Sequence, residues 1–187
     1  MKMTNPYIRQ SDFDGIGNVA QHCDLSKLQV AINQALEFDI IPLFCYEFMD
    51  DVLKNWNNTE SKYQILIYGG TFTDRAGRLR SNIGLKRVWL YYSYAQYLLI
   101  NQFSDTANGQ VRKDSEWSIP VPLGEITAYS NKYRKMGRES YSSVLDYLTA
   151  NKIDFPLASH LACGCSGTCN CGKTKKMTGF KFSTVKK

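Results

Sequence analysis

Apolar residues recur at three-to-four spacing in several stretches of this chain, and each such stretch predicts a helix with one buried stripe. The first follows Asp24, a residue suited to accept the orphan N–H groups of a helix start, and carries Leu25, Leu28, Ile32, Ala35 and Leu36. A second begins at Pro42, whose missing N–H costs nothing in a first helical turn. Phe44, Phe48 and Val52 line it, and it fades in the polar cluster Asn55, Asn57 and Asn58. A short apolar stretch, Tyr63 to Tyr68, ends at Gly69–Gly70, and the polar run behind it predicts a small β-hairpin around Ala76–Gly77.

Two longer helices follow. From Leu85 to Phe103 the stripe is Leu85, Val88, Trp89, Tyr92, Ala95, Leu99 and Phe103, yet Leu90, Tyr91, Tyr94, Tyr97 and Leu98 crowd the other side. A helix apolar most of the way round is buried most of the way round, so this one is central, or covered in part by a neighbouring subunit. After the polar stretch from Ser104 to Pro122, read as a loop, Ile126, Tyr129, Tyr133, Met136, Ser140, Val144 and Leu148 follow a heptad-like pattern. The helix they predict, Leu123 to Ala150, would be roughly 40 Å long at 1.5 Å per residue. The expected fold is mainly α: a bundle of four to five helices with a small β-hairpin insertion and extended N- and C-terminal arms. Three segments result: an irregular arm over 1–23, a helical core over 24–155, and a Cys-rich loop with a basic tail over 156–187.

Composition changes this picture in two places. Twelve Tyr, nine Phe and three Trp are an unusual supply of large side chains, which suits subunit interfaces as well as cores. The net charge of +6 belongs entirely to the stretch from Lys173 to Lys187, which holds six Lys and no acid, so the rest of the chain is neutral. Such a basic tail either meets an acidic partner or serves as a solvated extension. The first residues, MKMTNPYIRQSDFDG, lack the apolar core of a signal peptide, and the longest uncharged run, Val88 to Ser104, falls short of the ~20 apolar residues of a membrane span. The expectation is therefore a protein of intracellular origin with no membrane partner, in which disulfides are not the default.

Chemistry is sparse. Cys163, Cys165, Cys169 and Cys171 lie within HLACGCSGTCNC, behind His160, and clustered thiolates favour a soft metal. Structural zinc is the candidate; the C-x-C spacing is tighter than in ordinary zinc knuckles, and labile disulfides or free thiols are the alternatives. No other cofactor is expected. Gly15-Ile16-Gly17-Asn18-Val19-Ala20 matches a loose dinucleotide fingerprint, but no strand precedes it and no βαβ unit follows. Glu47, Asp50 and Asp51 share one helix side and read as a solvated face. Arg75, Arg78, Arg80, Lys86 and Arg87 form a basic group that could touch phosphate or an acidic surface, or stay solvated. Nothing resembles a nucleophile elbow or a phosphate loop, so an enzyme is not expected.

The order of parts carries a resemblance. DLSKLQVAINQALEFDIIPLF resembles the first helix and I-x-P-L junction of tailed-phage head–tail connector (adaptor) proteins. LIYGGTFTDRAGRLRSNIGLKRVWLYYSYAQYLL resembles that family's Gly-Gly, hairpin, GLK and Tyr/Ala-rich central helix; DTANGQVRK and the long helix ending VLDYLTANKIDFPL complete the series. The likeness spans about residues 8–160 and is nearest to ring proteins of crAss-like and related podoviruses of gut bacteria. It implies a virion protein, made in the host cytoplasm, that forms a twelve-membered ring below the portal. Such a ring would line the DNA channel without reading its sequence and would dock the downstream tail or ring protein. The candidate interface residues are Tyr91, Tyr94, Tyr97 and Leu98 on the crowded helix and Phe180 and Phe182 on the C-terminal arm. A metal-stabilised nucleic-acid-binding module, built from the Cys cluster and the Lys tail, is the alternative class.

Overall fold

A computed structural model describes residues 5–17, 25–106, 109–112 and 121–160. The architecture is mainly α with a small antiparallel hairpin, as the hydrophobic pattern predicts. Asp24, the Cys cluster, the basic tail, Phe180 and Phe182 lie outside the described residues.

Helices α1 (Leu25–Gln34) and α2 (Ile41–Phe44) are joined by a π-helical turn, Ala35–Ile40, into one rod. The expected break before Pro42 is therefore absent. In the widened turn the Ile41 N–H reaches Leu36 O, five residues back, and the proline follows where the spacing has already opened. The chain breaks instead at Cys45, whose φ of 56° and ψ of 157° are adopted almost only by glycine. There the rod meets α3 (Tyr46–Lys54) at 115°, so the predicted second helix is two helices. Phe44 stacks on Phe48 across the corner at 5.7 Å, which keeps both rings buried despite the turn.

The stretch Tyr63–Tyr68 is the body of a short helix, α4 (Ser61–Tyr68). A hairpin follows, β1 (Gly70–Thr73) on β2 (Leu79–Asn82), in antiparallel register from Gly70↔Asn82 to Thr73↔Leu79. Helix α5 (Leu85–Ile100) is central, and Leu85, Val88, Trp89, Tyr92 and Ala95 are buried as expected. It stops earlier than predicted: Phe103 opens a strand, β3 (Phe103–Thr106), paired with β4 (Gly109–Arg112) inside the segment read as a loop. Helix α6 (Leu123–Ala150) has the predicted bounds and packs along α5.

The face of α6 against α5 differs in chemistry from the expected heptad. Ile126, Ser140, Val144 and Leu148 are buried, but Tyr129 is 57% exposed, and Ser130 and Gly137 take inward places. These small residues let the backbones approach. Ser130 Oγ donates to Ala95 O at 3.0 Å, and a Cβ placed on Gly137 would lie 2.8 Å from the Tyr92 ring. Close approach maximises dispersion contact between two helices that each carry aromatic side chains.

The segment read as an N-terminal arm is part of the core over residues 5–17. Ile8 and Phe13 are buried at 2% and 0%, the latter in a 3-10 turn, Gln10–Phe13. Asn5 Oδ1 accepts from the N–H groups of Tyr7 and Ile8, and Tyr7 packs on Trp56 and Trp89 at 5.4 and 6.2 Å. Trp89, fully buried, donates Nε1–H to Ile32 O at 3.0 Å. The arm, the turn after α3 and the central helix thus share one aromatic cluster, hydrogen-bonded to the rod through Ile32.

Candidate functional site

The most heavily tied constellation at the surface is the base of the β1–β2 hairpin. Gly69 ends α4 at φ 92° and Gly84 starts α5 at φ 94°, both in the left-handed half of backbone space that glycine alone enters without strain. Their backbones touch: a Cβ on Gly84 would lie 2.6 Å from Gly69 N. Asn82, 3% exposed, ties the two ends together, its Nδ2 donating to Ile65 O at 2.7 Å and its Oδ1 accepting from Gly84 N–H at 3.0 Å. Ser143 Oγ of α6 accepts from Ile83 N–H at 3.2 Å, and Phe72 packs edge-on against Tyr147 at 5.2 Å. The hairpin is therefore fixed to α4, α5 and α6.

Its tip is ordered by one carboxylate. Asp74 accepts from the backbone N–H groups of Ala76 and Arg78 at 2.9 Å each, and from Nε of Arg78 and Arg80 at 3.0 and 3.2 Å. The Arg78 backbone N–H foremost, with the Arg80 guanidinium and further donors, holds this carboxyl down to about 2, against the cost of its partial desolvation. Leu79, beside them, is 75% exposed. Two shallow clefts flank the hairpin. One of about 250 Å³ is lined by Asp12, Tyr68, Ile83, Lys86 and Arg87 among others; the second, about 230 Å³, lies against Asp146 and Thr149 of α6. Both fall below the ~300 Å³ at which ordinary small-molecule sites begin.

The predicted basic group is thus divided. Arg78 and Arg80 share Asp74; Lys86 pairs with Asp12 at 2.8 Å on the other side of the hairpin base; Arg75 and Arg87 are exposed without an ion pair among the described residues. The acidic trio is divided too. Asp50 pairs with Lys54 at 2.6 Å, Asp51 accepts from Tyr63 OH at 3.2 Å and from Asn55, and Glu47 is exposed. Burial first, and Asp51 second, push the Tyr63 phenol above its ordinary value. Among the described residues no group of three or more His, Cys, Asp or Glu is arranged to hold a metal, and no single helix is long and apolar enough to cross a membrane.

The crowded side of α5 is covered by the chain itself, which corrects the expectation that Tyr91, Tyr94 and Tyr97 face a neighbour. They are 9%, 7% and 6% exposed; Leu98 is half-buried. Tyr133 of α6 meets Tyr94 edge-on at 4.6 Å, and Gly17 lies so close to the same ring that a Cβ there would sit 2.4 Å from it. Burial, reinforced by Tyr133, raises the Tyr94 phenol. Gly17 thus serves close packing, and the residues Gly15–Gly17 follow a 3-10 turn rather than a strand.

Two features had no sequence counterpart. Asp39, placed by the π turn, accepts from Arg134 at 2.6 Å and from Gln96 at 2.9 Å, linking rod, α5 and α6. Tyr141 of α6 donates to Leu43 O at 2.9 Å and meets Phe44 edge-on at 4.8 Å, clamping the corner before Cys45. Burial pushes its phenol up to about 12.

Residues 40–166, more than half of the chain, match the model of a family described as "Family of unknown function (DUF6712)". No curated protein and no solved structure matches the chain.

Proposed function

We propose that this chain, which belongs to the family of unknown function DUF6712, is a non-enzymatic structural subunit of a phage head–tail connector. In this reading it forms a ring below the portal, lines the DNA channel and docks the next tail component. The observation that carries it is the β1–β2 hairpin: an exposed, charged projection fixed to three helices by Asn82, Ser143 and the Gly69–Gly84 contact. A projection held this firmly loses little conformational freedom on docking, which favours recognition by shape. The shallow clefts beside it suit a macromolecular neighbour better than a small substrate. The order of motifs that resembles connector proteins supplies the biological setting. The self-covered α5 gives no support, since its aromatic face is not available to a neighbour.

Immunogold labelling of particles with an antibody against α6 tests the reading. Label concentrated at the single vertex where head meets tail is expected. Label over the capsid shell, along the tail, or absent from particles would overturn it.

A further inference from the structure

Two exposed patches of opposite charge lie on either side of α6. The first surrounds the corner at Cys45. Phe38 and Tyr46, on its two arms, are 67% and 69% exposed. Glu37 and Glu47 stand beside them, exposed and without an ion pair among the described residues, while Asp50 is neutralised by Lys54. The second patch is the hairpin tip. Leu79 is 75% exposed, Arg75 has no ion pair among the described residues, and Arg78 and Arg80 share the single Asp74. Three arginines against Asp74, with Asp146 of α6 across the adjoining cleft, leave this tip with a net positive charge, as Glu37 and Glu47 leave the corner negative.

Helix α6 sets their relative placement. Arg134 and Tyr141 hold the corner side, through Asp39 and Leu43 O. Ser143 and Tyr147 hold the hairpin side, through Ile83 N–H and Phe72. At 100° per residue, Tyr141 and Ser143 point roughly 160° apart across the buried face of the helix, with buried Ser140 and Val144 between them. Unlike patches on opposite flanks make a heterologous contact, the kind from which a ring is built when its rotation closes, whereas like patches meeting across a twofold axis would repel.

We propose that the hairpin tip of one copy docks on the Phe38–Tyr46 corner of the next, with Leu79 against the two rings and Arg75 facing Glu37 and Glu47. This rests on the ring-subunit reading and assigns its repeating interface. The occupant of both patches is a second copy of this chain, because the two carry opposite charge and each exposes apolar side chains that the other would cover.

The test uses full-length Arg75→Glu and Glu47→Arg, singly and mixed, with Leu79→Ser as an uncharged second variant. Each is checked for a wild-type urea midpoint and followed by sedimentation velocity and negative-stain microscopy. Wild type is expected to self-associate, less so as salt rises. Each single variant should associate about tenfold more weakly or worse. Mixing the two charge variants should restore assembly, since each then meets a complementary partner. Wild-type rings with unaffected single variants, or a mixture that fails to recover, would overturn this interface and leave the ring reading standing. Wild type that stays monomeric at every concentration overturns the interface too; vertex labelling then decides separately whether the ring reading falls with it.

Discussion

Replacing Asn82 with Ala would remove the tie at the hairpin base, and its cost follows from the partners left behind. The Gly84 N–H loses its acceptor in a buried place, at about 1–3 kcal/mol for an unsatisfied donor. Ile65 O loses the Asn82 amide but keeps the Gly69 N–H at 3.1 Å, so only about 1 kcal/mol of hydrogen bonding goes there. The sum is about 2–4 kcal/mol, or a fall in Tm of roughly 6–12 °C at the middle of that range for a chain of this size. Equilibrium urea unfolding is the assay, with an unchanged slope expected because the surface exposed on unfolding stays the same. Asn82→Asp gives a diagnostic: it keeps an acceptor for Gly84 N–H but sets a carboxylate oxygen against Ile65 O. It should be at least as damaging at neutral pH and recover partly in mild acid, where the protonated carboxyl can donate. A midpoint shift under about 0.5 kcal/mol for Asn82→Ala, the level of an ordinary surface change, would refute the claim that this residue anchors the hairpin.

Three further outcomes are expected. Gly84→Ala should lose more than the ~1–3 kcal/mol of a forced left-handed backbone, since its Cβ would also meet Gly69 N and the Tyr68 carbonyl carbon at 2.6 Å; urea titration measures it. Gly137→Ala should destabilise by about 1–3 kcal/mol despite its better helix propensity, because the methyl meets the Tyr92 ring, whereas Gly124→Ala, in open space on the same helix, should gain up to about 1 kcal/mol; paired thermal melts separate the two effects. Stability should fall between pH 10 and about 12. Burial raises the phenols of Tyr141 and Tyr147 to about 12, so the unfolded chain releases these protons first; the stability is complete below pH 10 and is lost as pH passes the folded value, which unfolding at stepped pH would follow.

Local signals were legible and global ones were not. Helix α6 could be bounded from its periodicity, and the β1–β2 hairpin from Gly69–Gly70 and Ala76–Gly77, because both are written in adjacent residues. The inward face of α6 departs from the apolar repeat at Tyr129, because closeness and not apolar size decides it: Ser130 and Gly137 face α5 because they are small. Likewise the pattern marks Tyr91, Tyr94 and Tyr97 as needing cover, but nothing in it says that Gly17 and Tyr133 provide it. Ile8 and Phe13 stand five apart, which fits neither helix nor strand period, so the core role of the N-terminal segment had no repeat to betray it. The site at the hairpin base carried one readable hint, the glycines on both sides of the hairpin; the partner of Ser143 is sixty residues away in the chain and was not readable.

The widened turn at Ala35–Ile40 also constrains how this sequence can change. One residue more than a regular helix holds is accommodated there while the segments on either side keep their winding, so a single deletion within it would close the wide turn and return the rod to ordinary i to i−4 spacing. Asp39 would lose the bulge that sets it against Arg134, and Pro42 would press on the carbonyl four residues back. The residue count of this short stretch is therefore what admits the proline and places the carboxylate: a shortened rod would keep its course and lose both.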